Sequence, residues 1–183
     1  MYKIFTVEER IRVPPTKLSM KVKNAVREAI AEQLEGTFDP RLGIILSVIS
    51  VEEVGEGKIV PGDPGVHYDA KFKLLAFKPE NNELVFGEVI DNTEFGSFVR
   101  IGPLDGLVHI SQLMDDFVSY DSKNAVFLGK ETKRTLKEGD KVRARIISVS
   151  LGTENKIGLT MRQPGLGSLV WLEEEKKKKK KGK

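Results

Sequence analysis

The sequence predicts an α+β N-terminal domain, with one helix packed on an antiparallel sheet, followed by an all-β barrel. Apolar residues recur with helical spacing on one stripe of residues 22–34, and extended apolar segments flank this stripe on both sides. Further along, residues 84–113 consist of three short apolar runs separated by turn residues. This spacing is typical of the opening of a small antiparallel barrel.

The composition places limits on the class of protein. The chain has 183 residues, 39% of them hydrophobic, which is enough for packed cores in two small domains. Cysteine is absent, which excludes disulfides and thiolate zinc sites. No apolar stretch approaches the roughly 20 residues that span a bilayer. We therefore expect a cytoplasmic protein that makes no membrane contact.

The first domain is expected over residues 1–80 and opens with a strand and a helix. An extended segment should run from Met1 to Val13, where Pro14 and Pro15 remove it from any sheet ladder. The helix is expected over residues 19–35, with Ser19 as its N-cap and Gly36 at its end.

Two further strands should complete this domain. The apolar run Gly43–Val51 predicts a buried strand that ends at Glu52, and a glycine- and proline-rich surface loop should follow over residues 53–66. Alternation over Tyr68–Ala76 predicts a half-buried antiparallel strand. Residues 79–82 form the best domain boundary.

The barrel is expected over residues 81–164. The opening strands should be separated by turns at residues 91–94 and 102–105, and an insertion should occupy residues 114–140, with a hairpin around Gly129 and Lys130. The predicted strands are Leu84–Ile90, Phe95–Ile101, Gly106–His109, Lys141–Val149 and Lys156–Met161. Residues 165–183 then form a C-terminal segment with a lysine-rich tail, which we expect to be a solvated, disordered end rather than a specific contact.

Two aromatic side chains are candidates for a binding surface. Alternation sends Val99 and Ile101 to the core and Phe98 to the opposite face, and a bulge at Gly96 would bring Phe95 to the same side as Phe98. Exposed rings beside His109 would form a stacking platform for unpaired bases. The alternative is that both rings belong to the core and that the histidine is a hydrogen-bonded structural residue.

The charge is unevenly distributed, although the net charge is only +3. Residues 84–122 contain a single basic side chain, Arg100, among seven acidic ones, whereas residues 123–145 are mainly basic. If RNA lies on the barrel, we expect its bases to meet the first segment and its phosphates the second. The basic candidates, chosen by charge, are Arg100, Lys137, Arg143 and Arg145.

The barrel motifs resemble those of the S1 RNA-binding domain, an OB-fold barrel. The resemblance is carried by Gly87-x-Val89, by Phe95-Gly96-x-Phe98-Val99 and by Gly106-Leu107-Val108-His109-Ile110-Ser111. Glycines, aromatics and a histidine keep the family's order and spacing over about two dozen residues. The resemblance implies RNA contact through Phe95, Phe98 and His109.

The chain as a whole is similar to the larger stalk subunit of archaeal RNA polymerase, the counterpart of the seventh subunit of eukaryotic polymerase II. The motifs are the opening Met1-Tyr2-Lys3, residues 11–15, Gly36-Thr37-Phe38 and residues 62–68. The resemblance implies a non-catalytic subunit that pairs with a small helical stalk subunit, docks on the polymerase core and guides emerging single-stranded RNA. Mapped onto this chain, core docking should involve Pro14, Pro15, Pro61, Gly62, Asp63 and Gly65.

No catalytic or metal-binding constellation is evident. The histidines, His67 and His109, fall in different predicted domains, and the tight carboxylate pair Asp115-Asp116 lies at the start of the insertion. We therefore expect neither cofactor nor metal.

Two other functions remain open. An S1-bearing factor of RNA decay or translation initiation would share the barrel, but the predicted N-terminal helix argues against an exosome cap subunit. A structural adaptor whose barrel binds protein is also compatible, since OB barrels support many functions. The apolar cluster Leu169–Leu172 has no evident place in the barrel and favours a partner surface.

Overall fold

The computed structural model describes residues 1–151 and 156–181. The chain divides into two compact units, Met1–Lys78 and Pro79–Lys183. Each unit is built around its own sheet, and each is described separately.

The first unit has one helix on an antiparallel sheet, as predicted. Strands β1 (Tyr2–Val13), β2 (Phe38–Asp39), β3 (Gly43–Ile59) and β4 (Val66–Phe77) form a sheet in the order β1-β4-β3-β2. Helix α1 (Val22–Leu34) buries Ala25, Val26, Ala29 and Ile30 against it. The predicted apolar stripe is therefore the core-facing side of this helix.

The helix begins later than predicted, and Ser19 does not cap it. Its N-cap is Lys21, which makes no side-chain capping hydrogen bond. The preceding residues are occupied by a 3₁₀ turn at Pro15–Lys17 and by the bond from Met20 N–H to the Lys17 carbonyl. Gly36 follows the C-cap with a φ of 78°, a conformation that suits glycine at a helix end.

The strand that was expected to end at Glu52 continues to Ile59. Residues 53–59 pair with β4, and breaks in register near Gly55 and Gly57 absorb the extra residues as bulges. The loop is thus reduced to residues 60–65. The prediction failed because glycine in a long, bulged hairpin resembles glycine in a loop until the partner strand is known.

The second unit contains a closed barrel. Strands β5 (Leu84–Thr93), β6 (Gly96–Arg100), β7 (Asp105–His109), β11 (Lys141–Ser150) and β12 (Lys156–Thr160) pair in the order β12-β7-β6-β5-β11, and β12 pairs again with β11. Short strand β13 (Gly167–Ser168) extends β11. The inward side chains include Val85, Val99, Val108, Ile146 and Leu159, all buried. The predicted barrel is confirmed.

The first hairpin of the barrel differs from the prediction. Strand β5 runs through the expected turn to Thr93, so only Glu94 and Phe95 turn the chain. The bulge lies at Ile90 on β5, not at Gly96, which pairs regularly with both neighbouring strands. Asp91 and Asn92, which favour turns, stay in β5 because they pair with Phe98 and Ser97 on β6, and the Asn92 amide donates to the Ala125 carbonyl at 2.9 Å.

The insertion is a small sheet, and the C-terminal segment is helical. The predicted hairpin is present as β9 (Val126–Gly129) and β10 (Thr135–Leu136), and a strand that was not predicted, β8 (Val118–Asp121), pairs with β9. Helix α2 spans Leu169–Lys181, so the expectation of a disordered tail is wrong as far as Lys181. Gly182 and Lys183 lie outside the described residues. Over residues 1–151 and 156–181, neither α1 nor α2 has the length and apolar character needed to cross a membrane.

Candidate nucleic-acid interface

Phe95 and Phe98 lie together on the outside of the barrel. Their ring centroids are 6.0 Å apart with the planes at 89°, an edge-to-face pair. Phe95 is 46% exposed and Phe98 is half-buried, whereas Val99 and Ile101 are buried. The rings meet because Phe95 sits in the turn before β6, and not because of a bulge at Gly96.

Gly96 has a different role, which is the close approach of two strands. A Cβ atom at this position would lie 2.4 Å from the carbonyl oxygen of Val108. Only glycine therefore lets β6 and β7 pair at this point, where Gly96 is opposite His109. The pairing places the histidine next to the aromatic turn.

Phe98 and His109 line one open groove with a volume of about 570 Å³. Leu107 on β7, Ile147 on β11 and Lys156 on β12 also line it. Sequence reasoning missed these three residues. Leu107 and Ile147 carried a usable signal, since each is apolar at a position where strand alternation points outward.

The orientation of His109 is fixed by its own chain. The backbone N–H of Ser111 donates to Nδ1 at 3.3 Å, and the Ser111 hydroxyl lies 2.9 Å from the same nitrogen. The proton of the neutral ring is therefore on Nε2, which can donate to a ligand. His109 is therefore a hydrogen-bonded structural residue, as the sequence left open, and its ring still lines the groove.

The basic candidates do not form one surface. Arg100 makes an exposed ion pair with Asp105 at 3.3 Å, and the Arg143 guanidinium lies 5.0 Å from the ring centroid of Phe86. Lys137 lines a separate groove next to Trp171 on α2.

Arg145 does not itself line the groove of Phe98 and His109, and its link to the groove runs through the neighbouring strand. It pairs with Thr160, whose hydroxyl donates to Gln112 at 2.8 Å, and Gln112 lines the groove. Its Nε atom is buried and has no hydrogen-bond partner among the described residues.

In the first unit, the two segments predicted to dock come to the same end of the sheet. Val13, which precedes Pro14 and Pro15, pairs with Val66, and Val66 also pairs with Ile59. The intervening turn is closed by the Asp63 N–H donating to the Val60 carbonyl at 3.0 Å, with Pro61 and Gly62 at its centre. Gly62 has a φ of 88°, the value that the third residue of a type II turn requires.

Asp63 holds this end of the sheet together. Its carboxylate accepts hydrogen bonds from Nε and Nη2 of Arg12 at 2.7 Å each and from the Gly65 N–H at 2.9 Å, and lies 2.8 Å from Nε2 of His67. The hydrogen bond from Arg12 is the main reason why the pKa of Asp63 is held well below its usual range. The side chains of His67 and Asp63 are thus engaged in hydrogen bonds that hold the turn.

The carboxylate pair of the insertion is also structural. Asp116 accepts from the Thr132 N–H at 2.9 Å and from the Thr132 hydroxyl at 2.7 Å, and these bonds lower its pKa to about 2. Asp115 pairs with Arg162 at 2.8 Å. Within residues 1–151 and 156–181, no group of three or more His, Cys, Asp or Glu side chains could hold a metal ion.

The apolar cluster 169–172 is partly accounted for inside its own unit. Trp171 and Leu172 are buried, and the Trp171 indole N–H donates to the Thr135 carbonyl at 3.1 Å. Val170 is 58% exposed. The cluster therefore anchors α2 on the insertion and is weaker evidence for a partner than the sequence indicated.

Comparison with known families assigns both units. Residues 8–64 match the SHS2 domain found in the N terminus of Rpb7p/Rpc25p/MJ0397, and residues 78–162 match the S1 RNA binding domain.

Two relatives illustrate the full-length similarity. The DNA-directed RNA polymerase subunit Rpo7 of Saccharolobus solfataricus is 37% identical over 180 residues, which covers 97% of this chain and 100% of the relative. The DNA-directed RNA polymerase II subunit RPB7 of Saccharomyces cerevisiae is 26% identical over 149 residues, 76% of this chain and 87% of the yeast subunit.

The similarity to RNA-decay proteins is partial. Ribonuclease R of Buchnera aphidicola is 40% identical over 81 residues, which covers 43% of this chain and 11% of the enzyme. This match is local, whereas the Rpo7 similarity extends over both units. The reading as a factor of RNA decay or translation initiation is not favoured.

Proposed function

The chain belongs to the Rpo7/Rpb7 family of RNA polymerase subunits, and on that premise we propose that it is a non-catalytic stalk subunit that binds emerging single-stranded RNA. The observation that carries the RNA-binding part is the groove that Phe98 and His109 share on the outside of the barrel. An aromatic ring beside a hydrogen-bond donor suits an unpaired base, because stacking accepts every base and the donor can meet its edge.

The S1-type barrel would act within a larger assembly. We assign the groove to base contact through Phe98 and His109, with Phe95 as a second ring that packs edge-to-face against Phe98, and assign Arg145 to phosphate contact. Arg100, Lys137 and Arg143 do not line this groove. The acidic first half of the barrel makes RNA affinity depend on the stacking contacts more than on net charge.

The first unit is the proposed site of protein contacts. The turns at Pro14–Pro15 and at residues 60–65 lie together at one end of the sheet and would dock on the polymerase core. Elsewhere on β1, Tyr2 is 55% exposed and Ile4 is 62% exposed, on the face opposite α1. Such apolar exposure supports pairing with the small helical stalk subunit, over an interface on the order of 1,600 Å².

Replacing Phe98 tests the RNA-binding proposal. Phe98→Ala should weaken binding of single-stranded RNA roughly 5- to 150-fold, since stacking contributes about 1–3 kcal/mol per base. The slope of log affinity against log salt should stay constant, because no phosphate contact is lost. Titration of the full chain with labelled oligouridine at several salt concentrations measures both quantities.

Two matched variants separate the contributions of the ring and of the charge. Phe98→Tyr keeps a ring face and should retain binding, whereas Arg145→Ala should reduce the salt slope by about 0.7 for one lost phosphate contact. If a well-folded Phe98→Ala variant binds RNA as the wild type does, the groove is not the base-binding site.

A further inference from the structure

Phe86 is an aromatic residue on the outside of the barrel that the groove of Phe98 and His109 does not use. It lies on β5, where Val85 is buried in the core and Phe86 is 63% exposed. Burial of a phenyl ring normally stabilises a protein by a few kcal/mol, so an exposed ring in the middle of a strand contributes little to folding. Single exposed apolar side chains are common on protein surfaces, so a ligand at Phe86 has to be inferred from its neighbours.

The surroundings of Phe86 are basic as well as apolar. Arg143, its direct neighbour across the β5–β11 pair, places its guanidinium 5.0 Å from the ring centroid. Phe86 also lines an open groove of about 370 Å³ together with Arg100 and Lys141. Glu88 is the carboxylate of this groove. Sites for single-stranded nucleic acid usually combine an aromatic ring with neighbouring cations.

The strand register connects this site with the groove of Phe98. Arg100 is two residues from Phe98 on β6 and pairs with Glu88 on β5, which is two residues from Phe86. With about 3.4 Å per residue along a strand and about 4.8 Å between strands, the two rings are on the order of 14 Å apart. Arg100 lies between them, on the same outward-facing side as both.

We propose that Phe86 is a second base-stacking position for the same strand of RNA, held by Arg143, with Arg100 and Lys141 as phosphate contacts along the path. The inference rests on the proposed function, since it extends the path of an RNA whose first bases occupy the groove of Phe98. The exposed pair of Arg100 with Asp105 does not prevent this, because such pairs contribute little and exchange with a phosphate.

RNA fits this surface better than a protein partner does. A protein that covered Phe86 would also have to desolvate Arg100, Lys141 and Glu88, and burying such charges is costly unless each finds a partner. RNA offers a base for the ring and phosphates for the cations, and leaves Glu88 at the solvated edge.

The test is titration of the full chain with labelled oligouridine of about 16 nucleotides, the upper site size of an OB fold. Phe86→Ala and Phe86→Leu should each lower affinity roughly 5-fold or more, because both remove the π-face. Phe86→Tyr should retain affinity. Phe117→Ala is the matched control, since Phe117 is 74% exposed but lies in the insertion and lines neither groove. Photocrosslinking of RNA that carries 4-thiouridine, read by mass spectrometry, should label the peptide that contains Phe86.

The outcomes distinguish this inference from the proposed function. If Phe86→Leu binds RNA with wild-type affinity, or if the crosslink is absent, the inference is wrong even if Phe98→Ala weakens RNA binding. Loss of binding in Phe86→Ala with full binding in Phe98→Ala supports the second position and overturns the first. If Phe86→Ala impairs assembly with the small stalk subunit and leaves RNA affinity unchanged, the surface belongs to a protein and the inference is wrong.

Discussion

At the scale of single residues, the candidate site depends on side chains whose neighbours occupy the core. Phe98 faces outward because Val99, its neighbour on β6, faces inward, and alternation leaves no other side for it. Leu107 and Ile147 reach the groove for the same reason. Gly96 contributes by having no side chain, which allows β6 and β7 to pair beside the aromatic turn.

We expect Gly96→Ala to destabilise the second unit by about 1–3 kcal/mol, since the added methyl group would collide with the Val108 carbonyl. Urea unfolding followed by the fluorescence of Trp171, the only tryptophan of the chain, reports on this unit. Ser97→Ala is the control. The Ser97 hydroxyl is buried and has no hydrogen-bond partner among the described residues, so its removal should leave stability unchanged or raise it. Equal stability of the Gly96→Ala variant and the wild type would contradict the close-approach argument.

At the scale of elements, the hairpin of β3 and β4 is the feature that only pairing explains. Gly55 lies in a bulge between the paired residues Val54 and Gly57, and the turn is tied to β1 by the carboxylate of Asp63. Because Arg12 holds this carboxylate ionised, the stability of the hairpin should depend on pH. The folded protein keeps the pKa of Asp63 below its unfolded value of about 3.9, so the stabilisation is present above that pH and is lost as the pH falls towards the folded pKa.

We therefore expect Asp63→Asn to lower the free energy of unfolding at pH 7, and the difference from the wild type to shrink at about pH 2–3. Urea unfolding followed by circular dichroism at both pH values measures this difference. Glu9→Gln, at an exposed carboxylate on β1, should show little effect at either pH. A difference between Asp63→Asn and the wild type that is independent of pH would show that the charge does not stabilise the turn.

At the scale of the whole molecule, the proposal divides the work between the two units, with polymerase contacts in the first and RNA contacts in the second. The residues named for core docking lie in Met1–Lys78, and those named for RNA lie in Pro79–Lys183. The two activities should therefore be separable by mutation.

The variant Ile59→Glu/Pro61→Glu should lose binding to the polymerase core while it retains the small stalk subunit and normal RNA affinity. Both positions are exposed, with Ile59 at 78%, so the fold should tolerate the change. Affinity capture of the core by tagged chain, together with RNA titration, measures the two activities. Asn24→Glu, on the exposed side of α1, should retain both. Undiminished capture of the core by the double variant would refute docking through this turn.

The sequence by itself determined the fold class, the apolar stripe of α1, the barrel and the family, because these depend on periodicity and on motifs that are local in the chain. It also placed Phe98 outside the core, since alternation within one short strand settles that question. The hairpin in the insertion was predictable because turn residues separate two apolar runs, which is also a local pattern.

Only the tertiary structure decided what lies next to what. The extent of β3, the bulge at Ile90 and the helical C-terminal segment depend on pairing or packing with residues that are distant in the chain. The basic residues predicted as one set are divided among three surfaces, because strand register and not charge places each of them. Phe86 beside Arg143 is the clearest case, since two residues 57 positions apart become neighbours only when β5 and β11 pair.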